Sequence, residues 1–404
     1  MTTPPPAING SNTPEAKPSG DDDPFGAFLP GPRERVDPTG DGPLRPFSFV
    51  VQDLFDVAGT VTGAGNPGWA SAQRPALRSA AAVHACLEAG AALAGKTVTD
   101  ELGFSLEGSN PHFGAPINPR DPDALTGGAA SGAAAAVAGG LADFALGVDT
   151  GGSVRIPAAF CGLWGMRPSS GRISTDGMMA FAPSFDAVSL MARDPQVLRA
   201  VSAVLLGDDA DPAPLTDLRL AEDTLEIATL ALADATRRCA AMWGAGPPMA
   251  AFPGVWRDHL RLYAYGQAIE IKTGIGREVS RIAPKLGQMA AQRFASAMAA
   301  EPDVAAAWKG FRRAVRSWFD LTMPPGRVMI LPTAPVTRLA RNADQAVLSE
   351  YYIKALAITA IAGAVGAPQI HIPTPEGGIS LIARQGADRT LIDRAIELAA
   401  ELAG

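Results

Sequence analysis

The sequence predicts an α/β protein, and three observations carry that reading. Short runs rich in β-branched and aromatic residues, such as 47–55 (FSFVVQDLF) and 328–336 (VMILPTAPV), alternate with longer segments of helical apolar spacing, such as 74–90. Apolar stretches reach strand and helix length in turn along the chain, with Gly and Pro between them. The 404 residues are 47% hydrophobic and 19% charged, enough to bury one large core.

The elements follow in order. Residues 47–55 read as a strand, 74–90 as a helix closed by Gly90, and 91–97 as a short strand, which together make a βαβ rhythm. The helix 133–140 is mostly Ala and Gly and so is expected to lie close against neighbouring backbone. From 208 to 330 the pattern weakens into helical, Arg-dotted segments, with 243–254 (WGAGPPMAAFPG) expected as a loop. This stretch is expected to frame the mouth of a site without supplying chemistry. Residues 328–336 then read as a strand returning to the sheet, and 351–373 as a core helix followed by another strand. Residues 1–24 read as a disordered tail and 25–404 as one domain.

Charge and cysteine usage exclude several function classes. A net charge of −7 with a pI near 5.2 argues against a nucleic-acid partner. Cys86, Cys161 and Cys239 are odd in number and lack metal-ligand spacing, which fits reduced thiols in a cytoplasmic protein and no metal site. The first residues show neither a basic nor an apolar leader region. Two apolar runs, 127–147 and 355–372, are interrupted by Asp143 and by Gly366 and Pro368, so no membrane partner is expected.

The chemistry concentrates in 126–174. Within it, 149–157 (DTGGSVRIP) places Gly151 and Gly152 before Ser153, so that the N–H groups of Thr150, Gly151, Gly152 and Ser153 could converge on one point beside a hydroxyl. Such a turn would be an oxyanion hole next to a nucleophile. A Gly-Gly-Ser run alone is more often a plain turn.

The wider stretch resembles the amidase signature family, whose pattern is a GGSSSG-type loop, an Ala-rich helix, a strand, D-x-G-G-S-[IV]-R-x-P and a G-[LMF]-[KR]-P segment. The resemblance covers roughly residues 24–195, extends through 51–70 and 95–123, and is nearest in pattern to the branch with the plant-type indole-3-acetamide hydrolases. It implies the amidase signature fold, a mixed β-sheet enclosed by helices. Homodimerisation is implied by the resemblance only. It also implies Ser153 as nucleophile, with Asp149 and Arg155 bracing its turn.

The family's proton relay runs from the nucleophile through a serine in a cis peptide to a buried neutral lysine. Here the lysine position is Gln52 and the bridging-serine position is Ala129; the next serine is Ala130, and Ser131 survives as the third. An amide cannot accept the proton and a methyl cannot relay it, so loss of both implies a pseudoenzyme that still binds. Lys96 is expected to be structural, Asp100, Glu101 and Glu107 to fix loops, and His112 to anchor a loop or line the pocket. The expected protein has a pocket opening onto Ser153, no cofactor, and a small carboxamide or related carbonyl ligand. The alternatives are an active small-amide hydrolase and altered acyl chemistry with a different base.

Overall fold

The computed structural model describes residues 22–301 and 303–403, so the expected tail lies almost wholly outside the described residues. Ten strands form one mixed sheet. They are β1 (Ser48–Gln52), β2 (Ala92–Thr97), β3 (Phe144–Val148), β4 (Trp164–Arg167), β5 (Val188–Ala192), β6 (Asp217–Ala221), β7 (Gly246–Met249), β8 (Arg327–Pro332), β9 (Gln369–Ile372) and β10 (Ile379–Ile382). Their spatial order is β2-β1-β3-β5-β4-β9-β10-β8-β6-β7. The strands at each end of the sheet run parallel, while the β3-β5-β4-β9-β10-β8 stretch is antiparallel.

Alternation along the strands divides the core in two. Phe49, Val51, Phe144 and Leu146 point to one face, where Phe49 stacks on its register partner Phe144 with ring centroids 5.2 Å apart. Val50, Ala145 and Met191 point to the other and join a smaller core built on Ala133–Val137. Bulky residues thus fill the thick side, and alanines allow the thin side to close tightly.

Twelve helices surround the sheet among the described residues: α1 (Pro67–Ser71), α2 (Ala81–Glu88), α3 (Ser131–Ala138), α4 (Arg155–Cys161), α5 (Pro195–Leu206), α6 (Leu230–Met242), α7 (Trp256–Thr273), α8 (Ile275–Ile282), α9 (Gln288–Met298), α10 (Asp303–Thr322), α11 (Gln345–Val365) and α12 (Asp388–Ala403). Helices α3 and α4 lie against the thin side, and α7, α9, α10 and α11 pack on one another. By length and composition α11 could cross a membrane, yet Ala355–Val365 are buried inside the protein against α7 and α10.

Two local expectations differ. The helix within 74–90 begins only at Ala81, because the Ala76 N–H and C=O are bonded to Thr60 and Gly59 rather than to helical neighbours. Residues 246–249, expected in a loop, form the terminal strand β7, where an edge position tolerates the missing N–H groups of Pro247 and Pro248.

The parallel trio β2-β1-β3 positions the site. Because all three run the same way, their carboxyl ends emerge together, bringing Gln52, Thr99 and the 149–153 turn into one place.

Candidate functional site

The 149–153 turn is held from beneath by a buried ion pair. Arg155 meets Asp149 fork to fork, Nε to Oδ2 at 2.9 Å and one terminal nitrogen to Oδ1 at 2.6 Å. Its other terminal nitrogen donates to the Thr359 carbonyl at 3.0 Å and to Gln369 Oε1 at 2.5 Å. Arg167, from the WGMRP segment, donates to the Asp149 carbonyl. Burial pushes the Asp149 carboxyl up, but Arg155, Arg167 and the Gly152 N–H outweigh it and hold the group well below the usual carboxylate range.

The same carboxylate changes the expected oxyanion hole. Gly152 N–H donates to Asp149 Oδ1 at 2.8 Å, so it is consumed by the brace and does not face a ligand. Among the described residues the N–H groups of Thr150, Gly151 and Ser153 have no protein acceptor. Gly152 is required for a steric reason. Its φ is +116°, and a Cβ there would lie 2.8 Å from Thr359 Cγ2.

Residues outside the motif also fix the turn. Tyr263 Oη and Gln267 Nε2, one turn apart on α7, donate to the Thr150 carbonyl at 2.8 and 3.3 Å. Thr359 Oγ1 on α11 donates to the Gly151 carbonyl at 2.5 Å, and Thr150 Oγ1 donates to Asp186 at 2.6 Å. Arg167 was legible as part of the motif, whereas Tyr263, Gln267 and Thr359 sit in ordinary helical sequence that carries no such signal.

Gln52 and Ala129 come together with the turn. The Gln52 carbonyl oxygen accepts from Val148 N–H at 2.8 Å, and its amide donates to Thr99 Oγ1 at 2.7 Å. Thr99 Oγ1 in turn donates to the Ala129 carbonyl at 3.0 Å. The peptide Gly128–Ala129 is cis, and the N–H of the next residue, Ala130, donates to the Ser153 carbonyl at 3.1 Å. Both ends of the Gln52 amide are therefore occupied by structural bonds. Gly147 leaves room for this cluster, since a Cβ there would lie 3.3 Å from Gln52 Oε1 and 3.2 Å from the Ala130 methyl.

Lys96 lies elsewhere. Its ammonium pairs with Asp53 at 2.7 Å and donates to the Val61 carbonyl at 2.8 Å, fully buried. The acidic residues of the 100–107 segment bind backbone as expected: Asp100 accepts from Gly108 N–H, Glu107 from Leu106 N–H and Glu101 from Gly287 N–H. His112 meets Glu101 at 2.8 Å, and its own N–H is held by Asn110.

Asp100 has a further property. Burial, reinforced by neighbouring Glu107 and opposed by the Ser105 and Gly108 hydrogen bonds, pushes its carboxyl up to about 7. Ser105 Oγ lies within hydrogen-bond reach of both Asp100 and Glu107, and one hydroxyl proton cannot serve two carboxylates, so this arrangement favours a proton on one of them. Arg293 pairs with Glu107. The Asp100 carboxyl reaches the relay because Gly128 has no side chain: a Cβ there would lie 2.0 Å from Oδ2. Ser131 Oγ, buried at the start of α3, faces the Asp100 carboxyl, where it opposes the upward push of burial, and neither it nor Asp100 Oδ1 makes a hydrogen bond of ordinary length.

The sequence predicts a pocket opening onto Ser153, but the large cavity beside the turn does not reach it. This cavity measures about 410 Å³ between α7, α9 and α11, and it stops at Gln267 and Leu356. Gln267 bonds the Thr150 carbonyl, and Leu356 Cδ1 would lie 2.8 Å from a Cβ on Gly151, so these two side chains form the partition. Ser153 itself is only 5% exposed.

A mixed sheet of this topology with a D-x-G-G-S turn beside a cis peptide defines the amidase class, and comparison agrees. The family model described as Amidase matches residues 34–233. The chain is 31% identical to Amidase 1 of Oryza sativa subsp. japonica over 93% of its length and 94% of the relative's. It is 30% identical to an Arabidopsis thaliana protein named Outer envelope protein 64, mitochondrial, over 89% of this chain and 66% of that one. A crystal structure of an amidase superposes with a TM-score of 0.76 at 24% identity, over 90% of this chain and 85% of the other. The chain belongs to the amidase signature family.

Proposed function

We propose that this protein binds a small carboxamide or related carbonyl compound and has lost the family's conventional hydrolysis. The observation that carries the proposal is the Gln52 amide, engaged by Val148 and Thr99 at the lysine position, beside an Ala129 that has no hydroxyl. Without an acceptor and a bridge, Ser153 is an unassisted alcohol, and a base-less triad loses on the order of 10⁴-fold in rate. The free N–H groups of Thr150, Gly151 and Ser153 support retained carbonyl binding. Ligand entry requires Gln267 or Leu356 to move aside.

Purified wild type should turn over neither an aryl acetamide nor an aliphatic amide in a Ser153-dependent way, while Gln52→Lys with Ala129→Ser should gain esterase or amidase activity. Neither single change should suffice. The lysine strips Val148 N–H of its acceptor, costing about 1–3 kcal/mol, so the fold of each variant is checked by circular dichroism. Wild-type amide turnover abolished by Ser153→Ala would defeat the reading.

One observation favours altered acyl chemistry instead: the Asp100 carboxyl, pushed up to about 7, lies beside Gly128 and faces the buried Ser131 hydroxyl. On that reading an activated ester is hydrolysed by wild type, and Asp100→Asn removes the activity along with its rise near pH 7. The proposal includes a cytoplasmic location, a possible homodimer, and neither nucleic-acid nor membrane partners. Relatives named for organelle envelopes argue for a different address, and cell fractionation decides between them.

A further inference from the structure

On α10, Lys309, Arg312, Arg313 and Arg316 fall at i, i+3, i+4 and i+7, which places them on one face. All four line a cleft of about 360 Å³ between α10 and α7, with Trp308 and Glu270 in its wall. Four cations thus face one carboxylate in a chain whose net charge is −7. That carboxylate is already engaged, since Glu270 accepts from both the N–H and the hydroxyl of Ser184.

Among the described residues, Lys309, Arg313 and Arg316 have no ion-pair or hydrogen-bond partner. Arg312 is held at the back of the cleft. It donates to the Ala364 carbonyl at 3.1 Å, to Ser184 Oγ at 2.6 Å and to the Ser184 carbonyl at 2.7 Å. Those bonds use three of its five N–H groups and leave two. The guanidinium is also anchored over the Phe185 and Trp308 rings, at 5.0 and 5.6 Å from their centroids. Like charges three and four residues apart on a helix repel, and Glu270 is the single carboxylate in the cleft lining to set against the four of them.

We propose that this cleft is a binding site for a small, multiply charged oxyanion, with Arg312 as its fixed donor and Lys309, Arg313 and Arg316 closing over the ligand. Guanidinium forks match phosphate and carboxylate oxygens bidentately, and several cations in one half-enclosed cleft favour a ligand with more than one negative charge. Its source is either a phosphoryl compound or a polycarboxylate, which share this chemistry. The site is separate from the 149–153 turn and from the reading proposed for it.

Titration calorimetry of the whole chain at fixed ionic strength tests the site with pyrophosphate and with citrate as probes. Saturable binding of either is expected, weakening at least tenfold in Arg313→Gln with Arg316→Gln and falling as sodium chloride is raised. The tighter of the two probes identifies the source. Both variant positions are exposed, and Lys309→Gln, also exposed, provides a second variant if the double substitution unfolds. Absence of saturable binding by either probe, or equal binding by wild type and variants, would overturn the proposal and leave the cations as counter-charges to the carbonyl end of α11.

Discussion

Gln52 shows how one side chain can turn a catalytic position into a structural one. Its carbonyl oxygen holds the end of β3 through Val148, and its amide holds the 97–100 segment through Thr99. A lysine supplies only donors and could not make the first of these bonds. Asp149 and Arg155 are the opposite case, a motif pair kept intact. Neither partner has solvent to fall back on, because both side chains are fully buried. Arg155→Ala should therefore destabilise by roughly 3–5 kcal/mol in urea denaturation, the cost of leaving a buried charge unpaired. Arg155→Lys should recover less than half of that, since an ammonium cannot reproduce the fork to Asp149 while also reaching Thr359 and Gln369. A loss under 1 kcal/mol in Arg155→Ala would mean that the turn is held by something other than this pair.

At the scale of elements, α7 and α11 act as a clamp across the carboxyl ends of the parallel strands. Tyr263 and Gln267 bind one carbonyl of the turn, Thr359 binds the next, and Thr359 also fills the space that a side chain on Gly152 would need. Gly152→Ala is accordingly expected to cost about 2–4 kcal/mol, combining a positive φ with overpacking against Thr359. Thr359→Ala opens that space, so the double substitution should cost less than the sum of the singles by at least about 0.5 kcal/mol in a denaturation cycle; strict additivity would mean that the two do not touch. This clamp was not legible in the sequence, whereas the motif turn, the Ala-rich α3 and the strands around residues 48, 92 and 328 were. Glycines, a fixed Ser-x-Arg spacing and alternating apolar residues leave local marks. A tyrosine and a glutamine on an amphipathic helix do not, because their role arises only when α7 folds back over the turn. The Gly152 N–H was misread for a related reason: spacing shows where an amide sits, and only the position of Asp149 shows which acceptor takes it.

Across the whole molecule, buried titratable groups set how stability follows pH. Burial raises Asp53, Asp100, Asp186, Asp223 and Asp388 above the ordinary carboxylate value. Burial pushes His259 down to about 4 and His371 down to about 3. For a histidine lowered from 6.5, the unfolded chain binds the proton first, so stability falls as pH drops below about 6.5. For a carboxyl raised above 3.8 the sign reverses: the folded chain holds the proton more tightly, and stability is lost as pH rises from the unfolded value toward the folded one. Asp100 offers the cleanest measurement, because its window, from 3.8 to about 7, is wide. Asp100→Asn removes the titration while keeping a side chain that can still accept from Gly108 and Ser105. Its own packing cost shifts the variant by a constant, and groups not coupled to Asp100 cancel in the difference between variant and wild type. Urea denaturation at half-unit steps from pH 4.5 to 8 should then show wild type losing stability relative to Asp100→Asn by about 1.4 kcal/mol per pH unit, levelling off above pH 7. Parallel curves for the two proteins would mean that burial does not raise Asp100, and would remove the observation that favours Asp100 as a base.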